Sequence, residues 1–112
     1  MANAPLDSIE WHDLPLASLS ISECGVALVV MPWIESTYTY ARFVLKITDA
    51  RSINLDVNGT LSLADFTNLE VSKFEYEICS NGRISGTVGI LAGGAGYWEI
   101  SVASATWSFE AV

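Results

Sequence analysis

No lysine or arginine occurs before Arg42 or after Arg83. Five acids, Asp7, Glu10, Asp13, Glu23 and Glu35, precede the first base unopposed, and Glu99 and Glu110 follow the last. Residues 1–41 carry −5, residues 42–83 carry −1 and residues 84–112 carry −2, which together make the net charge of −8. Phosphate backbones and anionic bilayers both require a basic surface. The charge layout therefore excludes nucleic acid and membrane as partners and admits a basic protein. Such acidity either steers a basic partner or only aids solubility.

Other shortages narrow the chemistry. There is one histidine, His12, and there are two cysteines, Cys24 and Cys79, in no CxxC or CxxH spacing. A structural zinc site needs more ligands than that, and no cofactor is implied. Cytosolic base rates predict free, buried thiols. The apolar run that starts at Val26 is broken by Pro32, far short of the roughly 18 residues of a membrane span. Met1–Trp11 has neither the basic nor the apolar region of a signal peptide, so a cytoplasmic location is expected. Charged residues are only 16% and hydrophobic ones 51%. A chain of 112 residues with that balance predicts one domain, residues 1–112, around a real core. It also predicts some apolar surface covered by a partner or by self-association into a homo-oligomer.

What is present is alternation with period two. Leu19 and Ile21 oppose Ser18, Ser20 and Ser22. Val26–Met31 is a β-branched, apolar run expected to be buried on both faces. Tyr38–Thr48 is the clearest strand, with Ala41, Phe43, Leu45 and Ile47 on one side. Ile53, Leu55 and Val57 alternate with polar residues and run into Asn58-Gly59, a dipeptide suited to a tight hairpin. Ser62–Asp65 fits a capping box, and the segment predicts a short helical turn near residues 62–67 or an irregular crossover there. Alternation resumes through Phe74, Tyr76 and Ile78, and a turn is expected at Ser80–Arg83. Ile84–Leu91 is a strand whose Gly86 and Gly89 imply a bulge or a close backbone approach. After the glycines at 93, 94 and 96, Trp98, Ile100 and Val102 alternate. Trp107 and Phe109 have the opposite parity, and either a bulge between Ala103 and Thr106 or a break between two strands would reconcile the two. The pattern predicts an all-β fold: an antiparallel sandwich or barrel of about eight strands.

Five groups of residues are candidates for chemistry. In Trp11-His12-Asp13, a carboxylate beside an imidazole suggests a general base. Neighbours on an extended chain, however, point to opposite faces, and no nucleophile stands at a recognised spacing. The alternative is that both residues make structural hydrogen bonds. A metal held by His12 with Glu10, Asp13 or Glu35 would rest on one imidazole and scattered carboxylates. Gly93-Gly94-Ala95-Gly96 lacks the lysine and the helix of a phosphate loop. Asn58-Gly59-Thr60 is formally a glycosylation sequon. Finally, Trp33, Tyr38 and Tyr40 flank a loop and suit stacking on a sugar, anchoring a protein interface, or covering a loop.

The segment from Trp11-His12-Asp13-Leu14 through Ile21 resembles the opening of small β-rich bacterial proteins: an aromatic-His-Asp, a leucine, then an alternating first strand. Several such groups are assigned as immunity proteins of polymorphic or contact-dependent toxin systems, and others are of unknown function. Asp65-Phe66 through Phe74 is loosely similar too. The likeness covers about a fifth of the chain. It implies an inhibitor that binds one toxin tightly and has no catalytic residues.

These readings combine into a non-enzymatic protein-binding domain with a basic partner. The contacts expected are Glu10, His12, Asp13, Glu23, Trp33, Glu35 and Tyr38. The alternatives are a small-ligand or carbohydrate-binding domain using Trp33, Tyr38, Tyr40 or Tyr97, a hydrolase built on His12, and a homo-oligomeric structural protein.

Overall fold

The computed structural model describes residues 6–59, 68–92 and 96–112. It is all-β. Among the described residues, one 3-10 turn, Leu6–Ser8, precedes nine strands. These are β1 (Leu14–Ser22), β2 (Gly25–Val30), β3 (Trp33–Ile34), β4 (Thr39–Tyr40), β5 (Phe43–Thr48), β6 (Ser52–Gly59), β7 (Leu69–Ile78), β8 (Ile84–Ala92) and β9 (Gly96–Ala111). Their pairings are antiparallel.

Seven strands form one sheet in the order β5-β2-β1-β7-β8-β9-β6, and a further pairing of β5 with β9 closes six of them into a ring. The sixteen-residue β9 makes closure work. Its second half pairs with β5, from Thr48↔Thr106 to Phe43↔Ala111, and its first half pairs with β6, from Ser52↔Ala103 to Gly59↔Gly96. Of the seven strands, β6 alone extends beyond the ring among the described residues. Closure satisfies backbone groups that an open sheet would leave at an edge.

The core lies inside the ring and, among the described residues, is wholly apolar: Leu14, Leu16, Leu28, Leu45, Ile90 and Phe109 are buried members. Bulges keep apolar residues facing it. Ser104 carries φ 49°, and the β8–β9 register shifts between Ile84 and Gly86, so Trp98, Ile100 and Val102 face inward together with Ala105 and Phe109. Of the two ways to reconcile the parity of Trp107 and Phe109, a bulge or a break between strands, the chain takes the bulge, and β9 runs unbroken from Gly96 to Ala111. Register shifts at Leu16/Ser18 and Val71/Lys73 do the same for β1 and β7. In each case one unpaired residue switches the inward set from odd to even positions, or the reverse.

Arg83 braces the strained corner. Its guanidinium donates to the carbonyls of Asp49 and Ser104, to Ser104 Oγ at 3.0 Å, and to Asp49 Oδ2 and Thr106 Oγ1 at 3.3 Å. Asp49, like Ser104, is a non-glycine residue at positive φ, 50°. Gly25 fills the tight β1–β2 turn at φ 127°, where a Cβ would lie 2.1 Å from the Ile47 carbonyl oxygen. Gly86 is required likewise, because its Cβ would meet the Glu75 carbonyl at 2.5 Å. The turn before β8 forms as expected, with Gly82 N–H donating to the Cys79 carbonyl at 2.9 Å.

Several expectations are corrected. The strand expected over Tyr38–Thr48 is broken at Ala41-Arg42, because Tyr40 belongs to a separate two-stranded sheet with β3. Asn58 and Gly59 form no hairpin turn; they end β6 and pair with Tyr97 and Gly96. The β2 run is buried at Val26, Leu28 and Val30 but only half-buried at the residues between them. Cys24 and Cys79 are free but exposed, since both sit at hairpin turns. The helical turn expected near 62–67 and the glycine turn at 93–95 lie outside the described residues. Among the described residues no helix is long and apolar enough to cross a membrane.

Candidate functional site

The site forms where the N-terminal segment meets the β3–β4 hairpin. Leu6 is buried, and its carbonyl accepts from Ile9 N–H at 3.3 Å and from the Trp11 indole N–H at 3.0 Å. The Trp11 ring sits edge-on to Phe74, centroids 4.9 Å apart, and 5.7 Å from Phe109. Tyr76 donates its hydroxyl to Asp7; burial first, then that carboxylate, push its pKa up to about 12. The segment thus lies along β7, pinned at Leu6, Asp7 and Trp11. Pinning Trp11 inward leaves His12 and Asp13 outward, with side chains 72% and 65% exposed. Asp13 adopts φ 60° as the chain turns into β1.

The second wall is the hairpin inserted between β2 and β5. The base of this hairpin is closed by the Pro32 carbonyl, which accepts from Ala41 N–H at 2.9 Å. Trp33 pairs with Tyr40 and Ile34 with Thr39. The four-residue loop between them is built on a turn from Ile34 to Thr37 (N–H to O, 3.3 Å) and ends in Tyr38 at φ 52°. Its aromatic rings contact each other rather than the core. Trp33 meets Tyr40 edge-on at 5.0 Å and Tyr38 at 6.4 Å. All three are exposed, Trp33 by 51%, Tyr38 by 76% and Tyr40 by 58%.

Between the walls lies a cleft of about 380 Å³, lined by Glu10, His12, Asp13, Trp33 and Tyr40 together with Ser8, Pro32 and neighbouring apolar residues. It joins four of the seven residues expected as contacts: Glu10, His12, Asp13 and Trp33. Tyr38 belongs to it through its contact with Trp33. Glu35 sits in the hairpin loop beside them but does not line the cleft. Glu23 is not brought in. It occupies the β1–β2 turn at the other end of β1, roughly 30 Å from Asp13 along an extended chain. Tyr97 is also elsewhere, on β9, where its hydroxyl donates to Glu99 at 3.1 Å.

His12 has a defined tautomer. Its Nδ1 lies 3.0 Å from the Ser72 carbonyl oxygen. A carbonyl can only accept, so Nδ1 carries the proton. Nε2 faces Asp13 Oδ2 at 3.3 Å. In the neutral ring that nitrogen would present a lone pair to a carboxylate. The Ser72 hydrogen bond first, and then the Asp13 charge, raise the His12 pKa above 6.5.

Among the described residues, no three His, Cys, Asp or Glu side chains converge as a metal site would require. Comparison with protein-family models, curated proteins and solved structures gives no match.

One member the sequence did not join to the acidic cluster is the cleft wall at Tyr40, visible there only as one of three aromatics flanking a loop. The register of β1 and β2 is what unites the cleft. A turn at Glu23-Cys24 folds the chain so that paired positions sum to about 46, as Leu16↔Val30 does. Extending that pairing sets Asp13 opposite Trp33.

Proposed function

We propose that the chain is a non-enzymatic protein-binding domain that takes a basic partner at this cleft, as an immunity-type inhibitor of a basic toxin domain would. The observation that carries this reading is the exposed Trp33–Tyr38–Tyr40 cluster set against Glu10 and Asp13. Exposed Trp and Tyr that are already ordered make strong interface anchors, because they bury large area at small entropy cost. Carboxylates around such an anchor speed capture of a cationic surface and disfavour anionic ones.

The state of His12 supports a binding role over a catalytic one. In a catalytic triad a carboxylate orients Nδ1–H and leaves Nε2 free for the nucleophile. Here a carbonyl takes Nδ1–H and the carboxylate faces Nε2. The reacting nitrogen is occupied.

The test is kinetic. Reversing Glu10, Asp13 and Glu35 together should slow association with the basic partner by about tenfold or more at low salt. It should also flatten the salt dependence. An on-rate that is unchanged and insensitive to salt rejects the reading.

The size of the cleft favours a second reading. A volume of about 380 Å³ walled by Trp33 and Tyr40 fits the size class of small-ligand sites, and the rings could stack on a sugar. Isothermal titration with neutral mono- and disaccharides separates the two. Saturable heat that disappears in Trp33→Ala supports the ligand site, and no heat alongside tight protein capture supports the interface.

A further inference from the structure

We propose that β6 is a self-complementary edge through which two copies of this chain pair, antiparallel, into one continuous sheet. Among the described residues, no strand pairs with the outer edge of β6. Natural sheets protect such edges with lysine, proline, bulges or a covering segment. Ser52–Gly59 has no lysine and no proline, and its eight pairs with β9 show no register shift. The free side of β7 is different. It carries Lys73, Glu75 and Glu77, and the N-terminal segment bonds along it at Ser72 and Tyr76.

The faces of β6 are also unequal. Ile53, Leu55 and Val57 lie opposite Val102, Ile100 and Trp98, which are core residues. They therefore continue the inward apolar face past the ring, yet they remain 42%, 46% and 46% exposed. A strand added at this edge would cover them from the side.

Parity and charge select both occupant and register. In an antiparallel pair, residues directly opposite share a face. A second copy placed with Leu55 opposite Leu55 sets Ile53 against Val57 and Asn54 against Asp56. All three aliphatic residues then meet aliphatic partners, and each Asp56 meets an amide. Sliding two residues one way puts Asp56 directly against Asp56, which like-charge repulsion disfavours. Sliding one residue sends the apolar faces to opposite sides of the sheet. The remaining register, centred on Asn54, loses the Val57 contact. The strand thus prefers its own copy, centred on Leu55. A single strand edge buries less than the roughly 1,600 Å² of a standard interface, so the dimer should be reversible and micromolar or weaker.

Sedimentation velocity of the full chain, over about 5–500 µM, tests this. The wild type should shift from monomer toward dimer, and Leu55→Lys, which sets two ammonium groups face to face, should remain monomeric throughout. Glu77→Lys on the β7 edge should leave the shift intact. Circular dichroism confirms that each variant is folded. A second readout fixes the register without relying on Leu55→Lys. In a Cys24→Ser/Cys79→Ser background, Leu55→Cys should cross-link to its own copy with oxidised glutathione, and Ile53→Cys alone should not. A chain that stays monomeric at every concentration overturns the proposal. So does a dimer that survives Leu55→Lys, or cross-linking that is equal at 53 and 55.

Discussion

Among the described residues, two regions of this molecule hold non-glycine residues at positive φ, and they differ in what surrounds them. At the Arg83 corner, Asp49 and Ser104 are bound by one guanidinium, which reaches both carbonyls, and Ser104 N–H donates to Ser85 Oγ at 2.9 Å. At the cleft, Asp13 and Tyr38 have the same backbone conformation, but their side chains stand in solvent. Holding an L-residue there costs about 1–2 kcal/mol. At the corner the cost secures a bulge that keeps Trp98 and Phe109 on one face. At the cleft it secures no such packing. There the strained backbone presents an aromatic ring and a carboxylate at a surface. The same device serves architecture in one place and display in the other.

The largest expected effect comes from breaking the corner. Arg83→Met leaves two backbone carbonyls without their charged donor and should lower stability by about 2–3 kcal/mol in urea denaturation. Binding at the cleft by the folded protein should be unchanged, and a matching loss of affinity would show the two regions to be one unit. The cleft should behave in the opposite way. Tyr38→Gly relieves the left-handed strain but gives the unfolded chain more freedom, so stability should stay level or rise by up to about 1 kcal/mol. Partner affinity should fall at the same time. Equal loss of stability and affinity would make Tyr38 a structural residue like Ser104.

The smallest effect is the titration of His12. Its folded pKa lies above 6.5. The protonated ring therefore favours the native state; this contribution is complete below pH 6.5 and is lost as pH rises through the raised folded value. Denaturation midpoints between pH 5 and 8.5 should show this slope in the wild type and lose it in His12→Gln (pH range set by the ordinary histidine pKa, about 6.5). An NMR titration of the ring below 6.5 would contradict the geometry.

Much of this architecture is legible in the residues, because alternation reports which way a strand faces. The change of phase between Val102 and Phe109 marks either a bulge or a strand break, and the structure has the bulge, at Ser104. The same kind of slip occurs between Leu16 and Leu19 and between Val71 and Phe74. There it reads as the start of a new strand, so β1 and β7 look shorter than they are. Asn58-Gly59 misleads for a different reason. The dipeptide suits a hairpin, but β6 pairs with β9, far along the chain, and local turn chemistry carries no information about that pairing. Of the cleft, the chemistry of each residue is visible in the sequence but not their union, which depends on the β1–β2 register. Glu23 shows the limit: by composition it matches Glu10, and by register it is at the other end of the strand.

The most direct test of the cleft as an interface is the affinity of Trp33→Ala for the proposed basic partner, measured beside that of the wild type. Trp33 is half exposed and contacts only surface rings among its described aromatic neighbours, so the variant should melt within a few degrees of the wild type. Its Kd should rise by about 30-fold or more, the loss of roughly 2 kcal/mol expected of a buried aromatic anchor. A Kd equal to that of the wild type would contradict the account.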